Sequence, residues 1–310
     1  KLLIDNSKMI IFGLMLIVVG LFTQINQAPY LYLLENNNLF IYDWSVIAER
    51  LAIPGGGAYL IAALLTQFFH LPFVGAIITT LCYGLIVWGS YQIIRKLYKG
   101  PALSGLAFLP IVFLLLSLEN SLYRYQGHIA FLLMVLALWA YTSLMDKRWW
   151  MKWLIGVIAS SLLYWFIGSA ALVFVLGAIL MDILCLTPKW NLSILYIPAA
   201  VVMGVLAYQY AAVADWHTAF TPLMYYDMVF TYYFQLYAWG LFLLLPILAI
   251  LLKYIPFKAS IQRIIAVVGA VITCYILLSF YSLVHTASNE KIAKQQYYTE
   301  QQDWEAVIGL

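Results

Sequence analysis

The sequence predicts an all-α fold, a polytopic transmembrane helical bundle of about nine spans plus one re-entrant or interfacial helix. Three observations lead there. Of 310 residues, 65% are hydrophobic and only 9% are charged, a balance foreign to a soluble domain of this length. The apolar residues fall in runs of about 17 to 25, the length a helix needs to cross roughly 30 Å of hydrocarbon. Unbroken runs such as IIFGLMLIVVGLF lack the alternation of a membrane barrel and suit helices, whose backbone hydrogen bonds close within the segment.

In chain order the candidate spans are 9 to 26, 73 to 94, 102 to 118, 128 to 145, 153 to 169, 170 to 186, 193 to 211, 236 to 252 and 264 to 284. Between the first two lies GGGAYLIAALLTQFFH, residues 55 to 70, apolar but stopped by His70 and Pro72. At about 15 residues it is short for a span and suits a re-entrant or interfacial helix. The basic residues orient the whole. With a cytoplasmic amino terminus and 55 to 70 not crossing, twelve lysines and arginines fall inside, while the outer loops before the tail keep Arg50 and Arg124. Counting 55 to 70 as a span would move the RKLYK cluster at 95 to 99 outside. A multi-pass chain with an external carboxyl terminus follows, its outer loops facing the periplasm or the cell exterior. Cys82, Cys185 and Cys274 stand singly in apolar segments, as small core residues do.

The outer loops hold the polar chemistry. In the first, NNNLFIYDWSVIAERLAIPGGG, Asp43 and Glu49 flank a short amphipathic helix that Asp43 is placed to cap. The alternative is a carboxylate at the membrane surface that serves as acid or base on a hydroxyl, or that holds a divalent metal ion beside a phosphate. In the second, SLENSLYRYQGHIAF, Arg124 offers a donor fork suited to phosphate, with His128 nearby; a local pair of Glu119 with Arg124 is the plainer reading. In the third, Asp215, His217 and Asp227 accompany a dense aromatic stretch that suits a sugar ring or an interfacial belt. Asp215 and His217 alone do not make a metal site. Asp182, near the cytoplasmic end of its span and close to Lys189, is expected to snorkel to the surface. Mid-span ionisable residues around a broken helix, the usual marks of a transporter, are not clear here. No Walker A, dinucleotide or zinc-protease motif is present, and nothing points to a nucleic acid.

After the transmembrane domain, residues 1 to 286, the tail turns polar. Residues 287 to 310 read as the start of a periplasmic helical segment, and DWEAVI resembles the first helix of a tetratricopeptide hairpin. PGGGAYLIAALLTQFFHLPFVGAIITTL, YRYQGHIAFLL, LLYWFIGSAALVF and QQYYTEQQDWEAVI together resemble a large uncharacterised family of Bacteroidota inner-membrane proteins. In that family a multispanning half precedes periplasmic helical repeats, and no activity comes with it. More distantly, the arrangement resembles the GT-C type glycosyltransferases that use lipid-linked sugars, whose first external loop carries an acidic catalytic residue and interfacial helices. Asp43 and residues 55 to 70 match in position, though the paired acids of those enzymes are missing, since Trp44 follows Asp43. This resemblance implies transfer from a polyprenyl-phosphate lipid with Asp43 as the acid or base; the loop residues read above add Glu49 as a second acid and Arg124, His128, Asp215 and His217 as substrate-binding candidates. Two other readings stand beside it. One is a non-catalytic membrane subunit whose carboxyl-terminal segment docks a periplasmic protein; the other is a transporter or lipid flippase. Membrane lipids are partners in each.

Overall fold

The computed structural model describes residues 2–37, 39–71, 73–120, 123–144, 148–187, 189–210, 216–226, 234–255 and 258–284, with 291, 294–295, 298–299 and 302–309 beyond them. Among the described residues the chain is helical, and its one piece of strand pairing is an isolated bridge between Tyr123 and Tyr226.

Helices α1 (Leu2–Asn26) and α2 (Ala28–Asn37) are followed by α3 (Trp44–Leu51) and α4 (Gly56–Thr66). Then come α5 (Val74–Ile94), α6 (Leu109–Ser117), α7 (Gln126–Thr142), α8 (Trp149–Ile167) and α9 (Ala171–Leu184). The chain continues through α10 (Tyr196–Tyr210), α11 (Trp216–Phe220), α12 (Phe234–Tyr254), α13 (Ala259–Val284) and α14 (Trp304–Ile308). Six apolar runs are long enough to cross a membrane: Met9–Asn26, Val74–Ile94, Trp149–Leu184, Trp190–Gln209, Phe234–Tyr254 and Ser260–Ser282. This is a helical membrane protein.

Contacts fix the direction of each helix. Thr80 meets Gly20 and Leu16 meets Gly84, so α1 and α5 are antiparallel. Tyr83 meets His128 and Gly89 meets Val135, so α5 and α7 run parallel. The 36-residue run Trp149–Leu184 folds back on itself at Gly168 (φ 77°), and Lys152, near the start of α8, pairs with Asp182, near the end of α9. Lys152 also lies 5.5 Å from the Tyr141 ring at the end of α7, which makes α7 and α8 antiparallel. The Gln235 amide donates to the Gly127 carbonyl, so α12 begins beside the start of α7.

These directions gather residues 39–56, 119–120, 123–126, 165–170 and 216–226 at one end of the bundle. At the other lie Arg95, Lys96, Lys99, Lys152, Lys189 and Lys253. Lipid tails are as apolar as leucine, so helices here associate by close packing and polar links rather than by exclusion from water. Small residues supply the closeness: a Cβ on Gly156 would stand 2.3 Å from the Tyr196 ring, and one on Gly89 2.7 Å from Val135.

Candidate functional site

The segment from residue 39 to residue 56 hangs on an N-cap. Asp43 is extended (φ −132°, ψ 130°), and its Oδ1 accepts from the Ser45 amide at 2.7 Å and the Ser45 hydroxyl at 2.6 Å. These bonds satisfy donors that the first turn leaves open. None of the eight residues of α3 is fully buried, and Tyr42 and Trp44 are 93% and 75% exposed; the helix lies on the surface with its aromatics placed as interfacial anchors. Glu49 is exposed, and the Arg50 guanidinium sits 4.9 Å from the centre of the Tyr59 ring.

The Ser45 hydroxyl, then the Ser45 amide, hold the Asp43 carboxyl below its ordinary value of 3.8, so it is a carboxylate at neutral pH. A depressed folded pKa makes the cap fully effective above the unfolded value and loses it as pH falls through the lower folded one. Hydrogen exchange at Ser45, corrected for its intrinsic pH dependence, is therefore expected to stay protected at constant level from pH 5 to 8. A drop in protection inside that window would contradict the bonding.

A glycine turn joins this segment to the bundle. The Gly55 amide donates to the Trp165 carbonyl (2.8 Å), the Gly55 carbonyl accepts from the Gln126 amide (2.9 Å), and the Trp165 indole donates to the Leu51 carbonyl (3.0 Å). Gly55 takes φ 82°, a conformation that glycine adopts without penalty. The turn thus ties α3 to the start of α7 and the end of α8.

Beside it residues 123–126 cross residues 216–226. The Arg124 amide donates to the Tyr225 carbonyl at 2.9 Å next to the Tyr123–Tyr226 bridge. The Tyr225 hydroxyl donates to the Ile167 carbonyl (2.6 Å) and accepts from the Ala170 amide (2.9 Å), holding the α8–α9 break. His217 is exposed on α11, its ring 4.9 Å from that of Trp216. Asp215 and Asp227 lie outside the described residues.

His128 sits below this surface, fully buried in α7. Its Nε2 meets the Tyr83 hydroxyl at 2.6 Å and its ring stacks on Tyr125 at 5.1 Å. Tyr125 in turn reaches the Thr79 hydroxyl at 3.2 Å. The Tyr123 hydroxyl and Gln235 Oε1, both bordering Gly127, have no hydrogen-bond partner among the described residues.

Two pairs of ionisable side chains lie beyond the sequence reading. Glu35 Oε1 stands 2.8 Å from His70 Nδ1, linking α2 to the turn after α4. Burial raises the Glu35 carboxyl, and the opposing pull of His70 is smaller. At the opposite end of the bundle Asp182 corrects an expectation: it does not snorkel but is 1% exposed, bonded to Lys152, Tyr141 and Ser193. Nothing in the spacing of residues 152 and 182 announces that pair, because the fold-back at Gly168 creates it.

Among the described residues no three His, Cys, Asp or Glu side chains group to hold a metal ion. A family of unknown function, DUF6057, matches residues 4–310. No curated protein and no solved structure matches the chain.

Proposed function

The chain belongs to this family of unknown function, DUF6057, and we propose that it is an inner-membrane glycosyltransferase of GT-C-like design that takes sugar from a polyprenyl-phosphate carrier at the periplasmic face. The observation that carries this is the first outer segment. An ionised, exposed Asp43 begins a surface helix that a glycine turn fastens to the ends of α7 and α8. A carboxylate so placed meets headgroups and water together, the setting that a lipid-linked donor and a polar acceptor share.

The orientation rests on charge. The end opposite Asp43 carries Arg95, Lys96, Lys99, Lys152, Lys189 and Lys253, the signature of a cytoplasmic side. In this reading the six long runs, one of them folded into two helices, and the shorter helices Leu106–Ser117 and Gln126–Thr142 are taken as nine traversals. Residues 56–66 remain on the outer side.

In this reading Asp43 accepts the proton of the acceptor hydroxyl as its oxygen bonds to the anomeric carbon, and the polyprenyl phosphate departs with the electrons of the broken C–O bond. Arg124, whose backbone Tyr225 holds, faces the phosphate, with Glu49 and His217 around the sugar. His128 acts from beneath through its stack on Tyr125.

The test is to purify the protein with native lipids, identify bound polyprenyl phosphate by mass spectrometry, and compare Asp43→Asn. The variant is expected to keep the lipid and to lose roughly 10²–10⁴-fold in sugar transfer, the usual weight of a positioned base. Full biological activity in Asp43→Asn would remove the catalytic role. The cap that Asp43 makes with Ser45 would then be its whole function, as in a non-catalytic subunit that anchors periplasmic repeats.

A further inference from the structure

A cleft of about 500 Å³ opens at the end of the bundle opposite Asp43, between the start of α1 and the end of α5. Its volume falls in the range of roughly 300–1,000 Å³ that accommodates an organic ligand. Met9, Phe12, Val87 and Trp88 form its apolar wall, and Gln92 and Arg95 stand at its polar end. Met9 is 74% exposed and Trp88 37% exposed. Both belong to apolar runs long enough to cross a membrane, Met9–Asn26 and Val74–Ile94. The wall therefore opens sideways, where lipid tails lie. Arg95 follows directly on the last residue of α5, with Lys96 and Lys99 exposed beside it.

We infer that this cleft is a binding site for one phospholipid with an anionic headgroup, its acyl chain along Met9, Phe12, Val87 and Trp88 and its phosphate on Arg95. The two halves of the site select together. A small anion finds no use for the apolar wall, and a neutral tail finds none for Arg95. Basic pockets between spanning helices take anionic headgroups on physical grounds, because the guanidinium fork matches phosphate oxygens and the hydrocarbon walls exclude competing water. Asp182, an acidic residue at this end of the bundle, is already engaged by Lys152. Gln92 adds an amide at the level of the ester groups. The inference is independent of the outer-segment reading, because it uses neither Asp43 nor any residue of that end.

Native mass spectrometry of the full chain tests it, with the purified protein exposed to equal amounts of dioleoyl phosphatidylglycerol and dioleoyl phosphatidylcholine. The wild type is expected to retain one phosphatidylglycerol in preference to phosphatidylcholine. Arg95→Gln should lower that preference about fivefold, the weight of one basic group at an anionic surface, and Arg95→Lys should keep most of it. Met9→Trp, at an exposed position of the wall, should reduce retention of both lipids. Circular dichroism and gel-filtration elution confirm that each variant is folded. Equal retention of the two lipids by the wild type, or an unchanged preference in folded Arg95→Gln, overturns the proposal.

Discussion

Asp182→Ala alone is expected to destabilise the folded chain by about 3–5 kcal/mol, and Lys152→Met alone by a similar amount, the measured range for removing one partner of a buried ion pair. Lys152 is 6% exposed and Asp182 1%. Asp182 Oδ1 accepts from Lys152, while Oδ2 accepts from the Tyr141 hydroxyl at 2.8 Å and from Ser193. Lys152 also reaches the Thr187 hydroxyl at 3.1 Å, and Tyr141 meets Tyr196 at 3.0 Å. Five segments converge on this one carboxylate: α7, α8, α9, the turn Trp190–Leu195 and α10. Deleting either charge leaves the other desolvated, and no water at this depth substitutes for the lost partner. The double variant Lys152→Met with Asp182→Leu removes both charges together and is expected to recover most of the loss. Thermal unfolding in one detergent, read as a double-mutant cycle, measures the coupling. Single losses below about 1 kcal/mol would show the cluster to be wetter than its burial implies.

Helices were legible because hydrocarbon thickness imposes a length on them. Each expected span overlaps a helix: 128 to 145 overlaps α7, and 153 to 169 and 170 to 186 overlap α8 and α9, divided at Gly168. Asp43, read as the cap of the short amphipathic helix that follows it, does cap α3, since capping is a contact over two residues. Contacts between distant segments were not legible. Lys152 looked like a cytoplasmic loop charge and Asp182 like a snorkelling acid, because a linear count of charges registers a span's end but not what folds over it. His128 follows a polar loop in sequence, yet α7 begins at Gln126 and carries the imidazole under Tyr125. The joint between the outer segment and the bundle was invisible for the same reason. PGGG announces a turn, but Trp165 and Gln126, which hold it, lie over a hundred and over seventy positions away.

That joint makes Gly56→Ala the second large expected effect. A Cβ on Gly56 would lie 1.8 Å from the Arg50 carbonyl oxygen, and one on Gly57 2.3 Å from the Phe166 ring. Phe166 has a flexible end and can swing aside. The Arg50 carbonyl is backbone: it accepts from the Ile53 amide (3.2 Å), while the Gly56 amide donates to the Ile53 carbonyl (2.9 Å). Relieving the clash therefore means opening the turn, which pulls Gly55 away from Trp165 and Gln126. Overpacking of this kind costs roughly 1–3 kcal/mol where side chains can yield, and Gly56→Ala should reach at least the upper figure. The loss is local, because the helices behind the turn pack through other residues. Hydrogen exchange over residues 44–51 should accelerate by about a hundredfold, while the protection of α7 and α12 stays near wild type. Gly13→Ala, where an added Cβ meets nothing within 4 Å, is the matched control and should change neither. If Asp43 works only when α3 is fastened to α7 and α8, Gly56→Ala must also abolish sugar transfer with Asp43 intact and the fold retained. A variant with a released α3 and undiminished transfer would separate the carboxylate from the geometry that places it.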